Sequence, residues 1–182
     1  MPSAGTIYFA FGSNLAFQQM ADRCPQSRFL GHARLLSFQF QINERGYANV
    51  VEVTDPDTSV YGLCYRLNSD DEAALDRYEG VPHAYKKEYL DVEFFAAAPE
   101  LFDMKVMDIL ADREIDQIEI LPVPESKESV VGTQLVYISR EYVQPGSPWD
   151  EYIVRMENGI KEALRQGIPE SYVEESIRPW LQ

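Results

Sequence analysis

The residues with the most chemical content stand in two short stretches. The first is Ile7-Tyr8-Phe9-Ala10-Phe11-Gly12-Ser13-Asn14-Leu15, an apolar run that stops at a glycine and continues into two good helix N-cap residues. The pattern predicts a strand, a tight loop and a helix beginning at Leu15. Free backbone N–H groups would then gather at one point, which suits a carboxylate or a developing oxyanion. Gly12 admits either a positive φ or a close approach of backbone to ligand. The loop has neither the glycine spacing of a dinucleotide fingerprint nor the lysine of a P-loop. On pattern alone, an ordinary strand-to-helix turn is the commoner reading.

The second stretch is Leu75-Asp76-Arg77-Tyr78-Glu79-Gly80-Val81. It leaves Glu79 in the last turn of a helix, facing the negative end of the macrodipole. Exposed to water, such a glutamate is mildly destabilising. Buried, it would have its pKa raised toward neutrality by desolvation and by the dipole, as a general acid/base requires. Solvated glutamates are common, so pattern alone favours a surface residue. No Ser-His-Asp arrangement and no G-x-S-x-G stands out. The two cysteines, Cys24 and Cys64, and the two histidines, His32 and His83, lack metal-ligand spacing, so no metal is expected.

The elements that must position these residues follow from periodicity. Ile7 to Phe11 reads as a buried strand and Leu15 to Arg23 as a short helix stopped before Pro25. Leu36 to Ile42 alternates as one strand, Asn43-Glu44-Arg45-Gly46 is a turn, and Ala48 to Val53 and Val60 to Leu67 are further strands. Ser69-Asp70-Asp71-Glu72 reads as a capping box with Ser69 at the N-cap, opening a helix that runs to about Glu79 with Gly80 as its C′ residue. Tyr85 to Phe95 and Val130 to Ser139 read as strands, Trp149 to Arg165 as an amphipathic helix, and Tyr172 to Trp180 as a candidate for another. Met104 to Ala111 is a candidate short helix, and Leu121 to Lys127 reads as exposed loop. Short strands with helices at intervals predict an α+β fold, its strands curled into a barrel or half-barrel. The many short connections argue against a doubly wound parallel sheet.

Composition bounds the function. The 182 residues suit one domain, 1–182, with 45% hydrophobic and 25% charged residues as in ordinary globular proteins. A net charge of −14 argues against nucleic acid and against an anionic membrane surface, both of which need clustered Lys and Arg. An anionic ligand would have to be bound by local donors against that field. The N-terminus shows no signal-peptide pattern and no run approaches the ~20 apolar residues that span a membrane, so a cytoplasmic location is expected. Of the 11 tyrosines, Tyr85, Tyr137, Tyr142 and Tyr152 lie away from the first strand, where they would be core or would offer phenolic donors to a cavity.

Tyr8 to Leu15 resembles the Y-F-A-Y-G-S-N-L signature of the γ-glutamylcyclotransferase family, and Leu75 to Val81 resembles its L-D-x-x-E-G-V segment. The likeness continues through Tyr85, Tyr137 and Tyr142, Ser147-Pro148 with Tyr152, and Gly167 to Tyr172, so it covers most of the chain. The resemblance implies a mixed β-barrel with flanking helices. It implies cyclisation of a γ-glutamyl amine to 5-oxoproline with release of the free amine, using no cofactor and no metal. It makes Glu79 the catalytic acid/base and puts Phe11, Gly12, Ser13, Asn14, Leu15, Tyr85, Tyr137 and Tyr152 against a small γ-glutamyl substrate. Trp149 is added as a lid residue from its place in the sequence. The donor stays open among γ-glutamyl amino acids, γ-glutamyl-ε-lysine and glutathione-type or bulky γ-glutamyl thiol conjugates such as those of fungal secondary metabolism. A non-catalytic binding module of the same fold is the rival, and a homodimer is admitted. Two features depart from the family pattern. Phe11 stands where a tyrosine is usual, and the inter-strand segment from about 96 to 129 is enlarged.

Overall fold

The computed structural model describes residues 4–113 and 128–182. Five strands close a barrel, and the order follows from their pairing. β1 (Thr6–Ala10) runs antiparallel to β5 (Ser59–Leu67), and β5 runs antiparallel to β2 (Arg28–Leu36). β2 pairs antiparallel with β6 (Lys86–Ala96), and β6 with β8 (Val130–Ile138). β8 then lies parallel to β1 with Tyr8 opposite Leu135, which closes the ring and makes the barrel mixed. The hairpin of β3 (Phe38–Ile42) and β4 (Ala48–Glu52) forms a separate two-stranded sheet. β7 (Met104–Lys105) adds a short edge to β2.

Aromatic and aliphatic side chains fill the interior: Phe9, Phe29, Leu63, Tyr65 and Leu135 are fully buried. Phe17 of α1 (Phe17–Arg23) packs on Phe29 with ring centroids 4.9 Å apart, which seats that helix on the barrel. α4 (Asp150–Arg165) buries Tyr152, Met156, Gly159, Ile160 and Ala163, one stripe at helical spacing. Gly159 lets this helix approach the loop after β1: a Cβ there would come within 3.0 Å of the Leu15 Cβ.

Several element boundaries differ from those the sequence predicts. Leu36 to Ile42 is not one strand, because Ser37 takes φ 62° and turns the chain between β2 and β3. β2 itself is missing from that reading. The helix expected from Leu15 begins instead at Phe17. Ser13–Leu15 forms a single 3₁₀ turn, and Ala16, with extended backbone (φ −75°, ψ 119°), separates it from α1. The N-cap of α2 (Ser69–Tyr78) is Asn68, whose side chain accepts from the Asp71 N–H at 2.8 Å, rather than Ser69. Glu72 accordingly does not reach back to a cap; it bonds Lys87 Nζ at 2.5 Å and also Thr6 Oγ1. The 96–113 part of the enlarged segment carries β7 and α3 (Val106–Asp112). Its predicted loop Leu121 to Lys127 lies outside the described residues. Among the described residues, no helix is long and apolar enough to cross a membrane.

Candidate active site

Glu79 ends α2 as its C-cap residue. The Gly80 N–H bonds the Arg77 carbonyl at 3.1 Å and the Val81 N–H bonds the Asp76 carbonyl at 3.0 Å, the paired bonds of a Schellman end. Gly80 has φ 63°, the left-handed conformation this ending needs, and its Cβ would fall 2.9 Å from that of Ala84. The sharp stop turns the Glu79 side chain toward the loop after β1, where Asn14 Nδ2 donates to Glu79 Oε1 at 3.1 Å. The same amide nitrogen lies 3.0 Å from the Tyr8 hydroxyl. The two motifs, 65 residues apart, therefore meet.

They meet in a cavity of about 300 Å³. Phe11, Gly12, Ser13, Asn14 and Glu79 line it, as do Tyr85, Tyr137 and Tyr152. Leu15 does not: its side chain is fully buried and its N–H is spent on the Gly12 carbonyl at 3.0 Å, so it belongs to the core facing α4. Gly12 has φ −117°, so the close-approach alternative holds rather than the positive-φ one. A Cβ at this position would sit 3.0 Å from the Ala48 Cβ and 3.1 Å from the Tyr152 hydroxyl. The amides of Ser13 and Asn14 lead the 3₁₀ turn and have no carbonyl to bond within it. Trp149 is no part of the cavity wall; 60% exposed, it caps α4 and donates from Nε1 to the Arg45 carbonyl.

The protein's hydrogen bonds sort the tyrosine hydroxyls into two kinds. Tyr85 donates to the Ala48 carbonyl at 2.6 Å, and Tyr137 donates to Asp76 Oδ1 at 2.6 Å. Tyr8 accepts from Asn14, and Tyr152 accepts from the Ala48 N–H at 3.3 Å. Tyr8 is thus placed to keep a hydrogen for a ligand, while Tyr152 also shares a hydrogen bond with the Ser13 side chain. Burial raises the pKa of all four, so each is a phenol rather than a phenolate at neutral pH.

Three arginines also face the cavity, Arg23, Arg45 and Arg155. The sequence reading missed them as residues, although it required local donors for any anion. They come from the end of α1, the β3–β4 turn and the middle of α4, and no motif joins them. Arg23 lies over the Tyr78 ring at 4.6 Å and bonds Asn14 Oδ1 at 3.3 Å. Arg155 bonds Ser13 Oγ at 3.1 Å and Gln19 Oε1 at 2.9 Å. Gln19 Nε2 in turn holds Ser13 Oγ and Asn14 Oδ1, each at 2.7 Å. This mesh fixes the loop side chains opposite Glu79.

The Glu79 carboxyl is pushed up from its ordinary 4.5 to about 7. Burial is the largest cause; the Arg23 and Arg155 charges and the Asn14 hydrogen bond pull the other way. At neutral pH the group is divided between acid and base, the condition in which it can both take and give a proton. The arrangement offers one tunable carboxyl, phenol and amide donors, and three cations, and it suits proton transfer on an anionic ligand.

The mixed five-stranded barrel with its flanking helices is a class of fold that solved structures share. One described as a gamma-glutamyl cyclotransferase superposes with a TM-score of 0.63 at 21% identity, over 94% of this chain and 85% of that one. An uncharacterized protein from Homo sapiens superposes with a TM-score of 0.60 at 23% identity, over 95% and 86% of the two chains. At these identities the likeness shows the fold alone. The family follows from sequence: the model described as "Gamma-glutamyl cyclotransferase, AIG2-like" matches residues 8–109, more than half of the chain, and the protein belongs to that family. Gamma-glutamylcyclotransferase of Mus musculus is 32% identical over 83 residues, 41% of this chain and 44% of that protein. The protein of the same name from Bos taurus is 30% identical over 83 residues, with the same two coverages. The chain thus spans less than half the length of these curated relatives.

Proposed function

We propose that the protein is a cofactor-independent γ-glutamylcyclotransferase, converting a γ-glutamyl amine to 5-oxoproline and the free amine. The observation that supports this reading best is Glu79: a carboxyl poised near neutrality, hydrogen-bonded to the loop that the family signature defines. The substrate's glutamyl carboxylate sits by the leading amides of Ser13 and Asn14, with Arg23 and Arg155 nearby. Ionised Glu79 takes a proton from the α-ammonium. The freed amine attacks its own γ-carbonyl carbon, a new C–N bond closes the five-membered ring, and the Tyr8 hydroxyl donates to the carbonyl oxygen as negative charge develops there. Protonated Glu79 gives its proton to the departing nitrogen, the bond to that amine breaks as the carbonyl re-forms, and the second proton of the ring nitrogen passes through Glu79 to the freed amine, leaving 5-oxoproline with a single N–H.

The reaction is intramolecular, so posing supplies much of the acceleration once the glutamyl chain is folded onto itself. The protein's remaining tasks are one proton relay and one polarised carbonyl, and no nucleophilic side chain is needed. The test is direct. γ-Glutamyl-alanine incubated with the protein should yield 5-oxoproline and alanine, and Glu79→Gln should lower the rate by about 10²–10⁴, the usual worth of a positioned acid/base. Near-normal turnover by a folded Glu79→Gln protein would remove Glu79 from this role. No turnover by the native protein, with the dipeptide still bound, would favour a binding module.

A further inference from the structure

Two of the three guanidinium groups in the cavity are engaged at its Glu79 end, where Arg23 and Arg155 bond the loop side chains and put their field on the carboxyl. Arg45 stands apart from them. It comes from the β3–β4 turn, and its field falls on the Tyr85 hydroxyl. Among the described residues it forms no salt bridge. It is nonetheless firmly held. Its N–H donates to Asn43 Oδ1 at 3.1 Å, its carbonyl accepts from Trp149 Nε1 at 2.9 Å, and its guanidinium lies 5.0 Å over the Tyr142 ring. Trp149 is itself seated against Gly46, where a Cβ would come within 2.7 Å of the indole. An exposed arginine ordinarily loses much rotamer freedom on binding an anion. Here the turn backbone is fixed before a ligand arrives and the guanidinium already rests over the Tyr142 ring, although the side chain is open to solvent.

We propose that Arg45 binds a carboxylate on the departing amine, so that the site takes γ-glutamyl amino acids in preference to γ-glutamyl amines that lack this group. The proposal rests on the cyclotransferase reading above and adds the second half of the substrate. A γ-glutamyl amino acid carries one carboxylate at each end, and the cavity has cations at two separate parts of its wall. A planar guanidinium meets a carboxylate with two parallel N–H bonds, which a neutral alkyl group cannot accept. The chain carries a net charge of −14, so a ligand with two carboxylates is drawn into this cavity by such local donors or not at all. Trp149 acts through the Arg45 backbone and is a positioning residue.

The test compares γ-glutamyl-alanine with γ-glutamyl-ethylamide, which differ only by the carboxylate in question. The native protein should prefer the dipeptide by about 10- to 100-fold in kcat/KM, as expected for a charge-assisted bond. Arg45→Ala should collapse that ratio toward 1, chiefly through KM. Arg45→Lys should keep part of it, and Trp149→Phe, which removes the N–H donor and no charge, should fall between. Melting temperatures of the variants check that each is folded. Equal loss on both substrates in Arg45→Ala, or no preference in the native protein, would overturn the proposal. Dissociation constants of the two compounds, measured in Glu79→Gln where the γ-glutamyl bond persists, separate the two readings. Carboxylate-selective binding with no turnover by the native protein would sink the enzyme reading and support Arg45. Turnover without selectivity would do the reverse.

Discussion

Replacing Glu79 with glutamine should stabilise the protein, and by an amount that grows with pH. In the folded protein the Glu79 carboxyl titrates near 7, against 4.5 when unperturbed. Below pH 4.5 it is protonated in both folded and unfolded chains, and its burial carries no ionic cost. Between 4.5 and about 7 the unfolded chain releases the proton while the folded chain keeps it, so stability falls as pH rises. Above that range the folded protein holds a half-buried carboxylate and the full cost is present. At 1.36 kcal/mol per pH unit, the interval from 4.5 to about 7 is worth about 3 kcal/mol. Glutamine keeps the size of the side chain and an oxygen for Asn14 Nδ2, but cannot ionise. The difference in melting temperature between Glu79→Gln and the native protein should therefore be small at pH 4 and widen by roughly 6–12 °C at pH 8.5, at the usual scaling for a chain of this size. Scanning calorimetry of both proteins across this range measures it, and other titrating groups cancel in the difference. A gap that stays constant with pH would show that Glu79 ionises as freely in the folded protein as in water, and the argument for a poised carboxyl would fail.

Other consequences follow from the same geometry. The kcat/KM of cyclisation should rise with pH through about 7 as Glu79 ionises, and Glu79→Gln should lose that limb in a pH–rate profile. Tyr8→Phe removes a hydroxyl placed as the acceptor of Asn14 and so free to donate; kcat should fall by roughly 10²-fold with little change in KM, and an unchanged kcat would take Tyr8 out of the oxyanion role. Gly12→Ala brings a methyl group to 3.0 Å from the Ala48 Cβ and 3.1 Å from the Tyr152 hydroxyl, which should cost about 1–3 kcal/mol in denaturant titrations and raise KM severalfold.

Much of the barrel is readable from pattern because its strands are long runs with few interruptions. β1, β4, β5, β6, β8 and α4 all lie where periodicity puts them, within a residue or two. β2 escapes such reading for a physical reason. Its residues Phe29 to Ala33 are buried on both faces, with Gly31 and His32 among them, so it shows neither alternation nor a clean apolar run. Its arginines are matched only by residues far along the chain: Arg34 pairs with Glu93 on the neighbouring strand β6 at 2.6 Å, and Arg28 donates to the Asp103 carbonyl at 2.6 Å. The cap of α2 is displaced by one residue because Asn68 and Ser69 are both competent caps, and Glu72 has a stronger partner in Lys87 than in a backbone amide. In the site, the macrodipole marks Glu79 as out of place at a helix C-terminus, yet pattern alone favours a surface residue, and it is the resemblance that singles it out. Leu15 is misleading because the signature marks a backbone turn, whose last side chain faces inward. The arginines leave no local trace at all, since each is an ordinary surface-type residue until the fold brings it to the cavity.

Those arginines also resolve the conflict between the chain's charge and an anionic ligand. Of 46 charged residues, 30 are acidic, yet among the described residues the cavity wall carries three guanidinium groups and Glu79 as its one carboxyl. At neutral pH that carboxyl is only partly ionised, so the wall is a positive pocket within a negative shell. Surface carboxylates more than about 8 Å from the ligand are largely screened at physiological salt, whereas the arginines act at contact distance. Two of these cations, Arg23 and Arg155, also pull the Glu79 pKa down, against burial. If the cavity bound its ligand with stronger positive charge, Glu79 would become a permanent carboxylate, able to accept a proton and slow to return it. If it were less positive, burial would hold Glu79 as a permanent acid, unable to free the attacking amine. On the proposed reading, a pKa near 7 is the compromise between ligand capture and proton relay, and a third cation whose field falls on Tyr85 and not on Glu79 would add anion affinity without disturbing it.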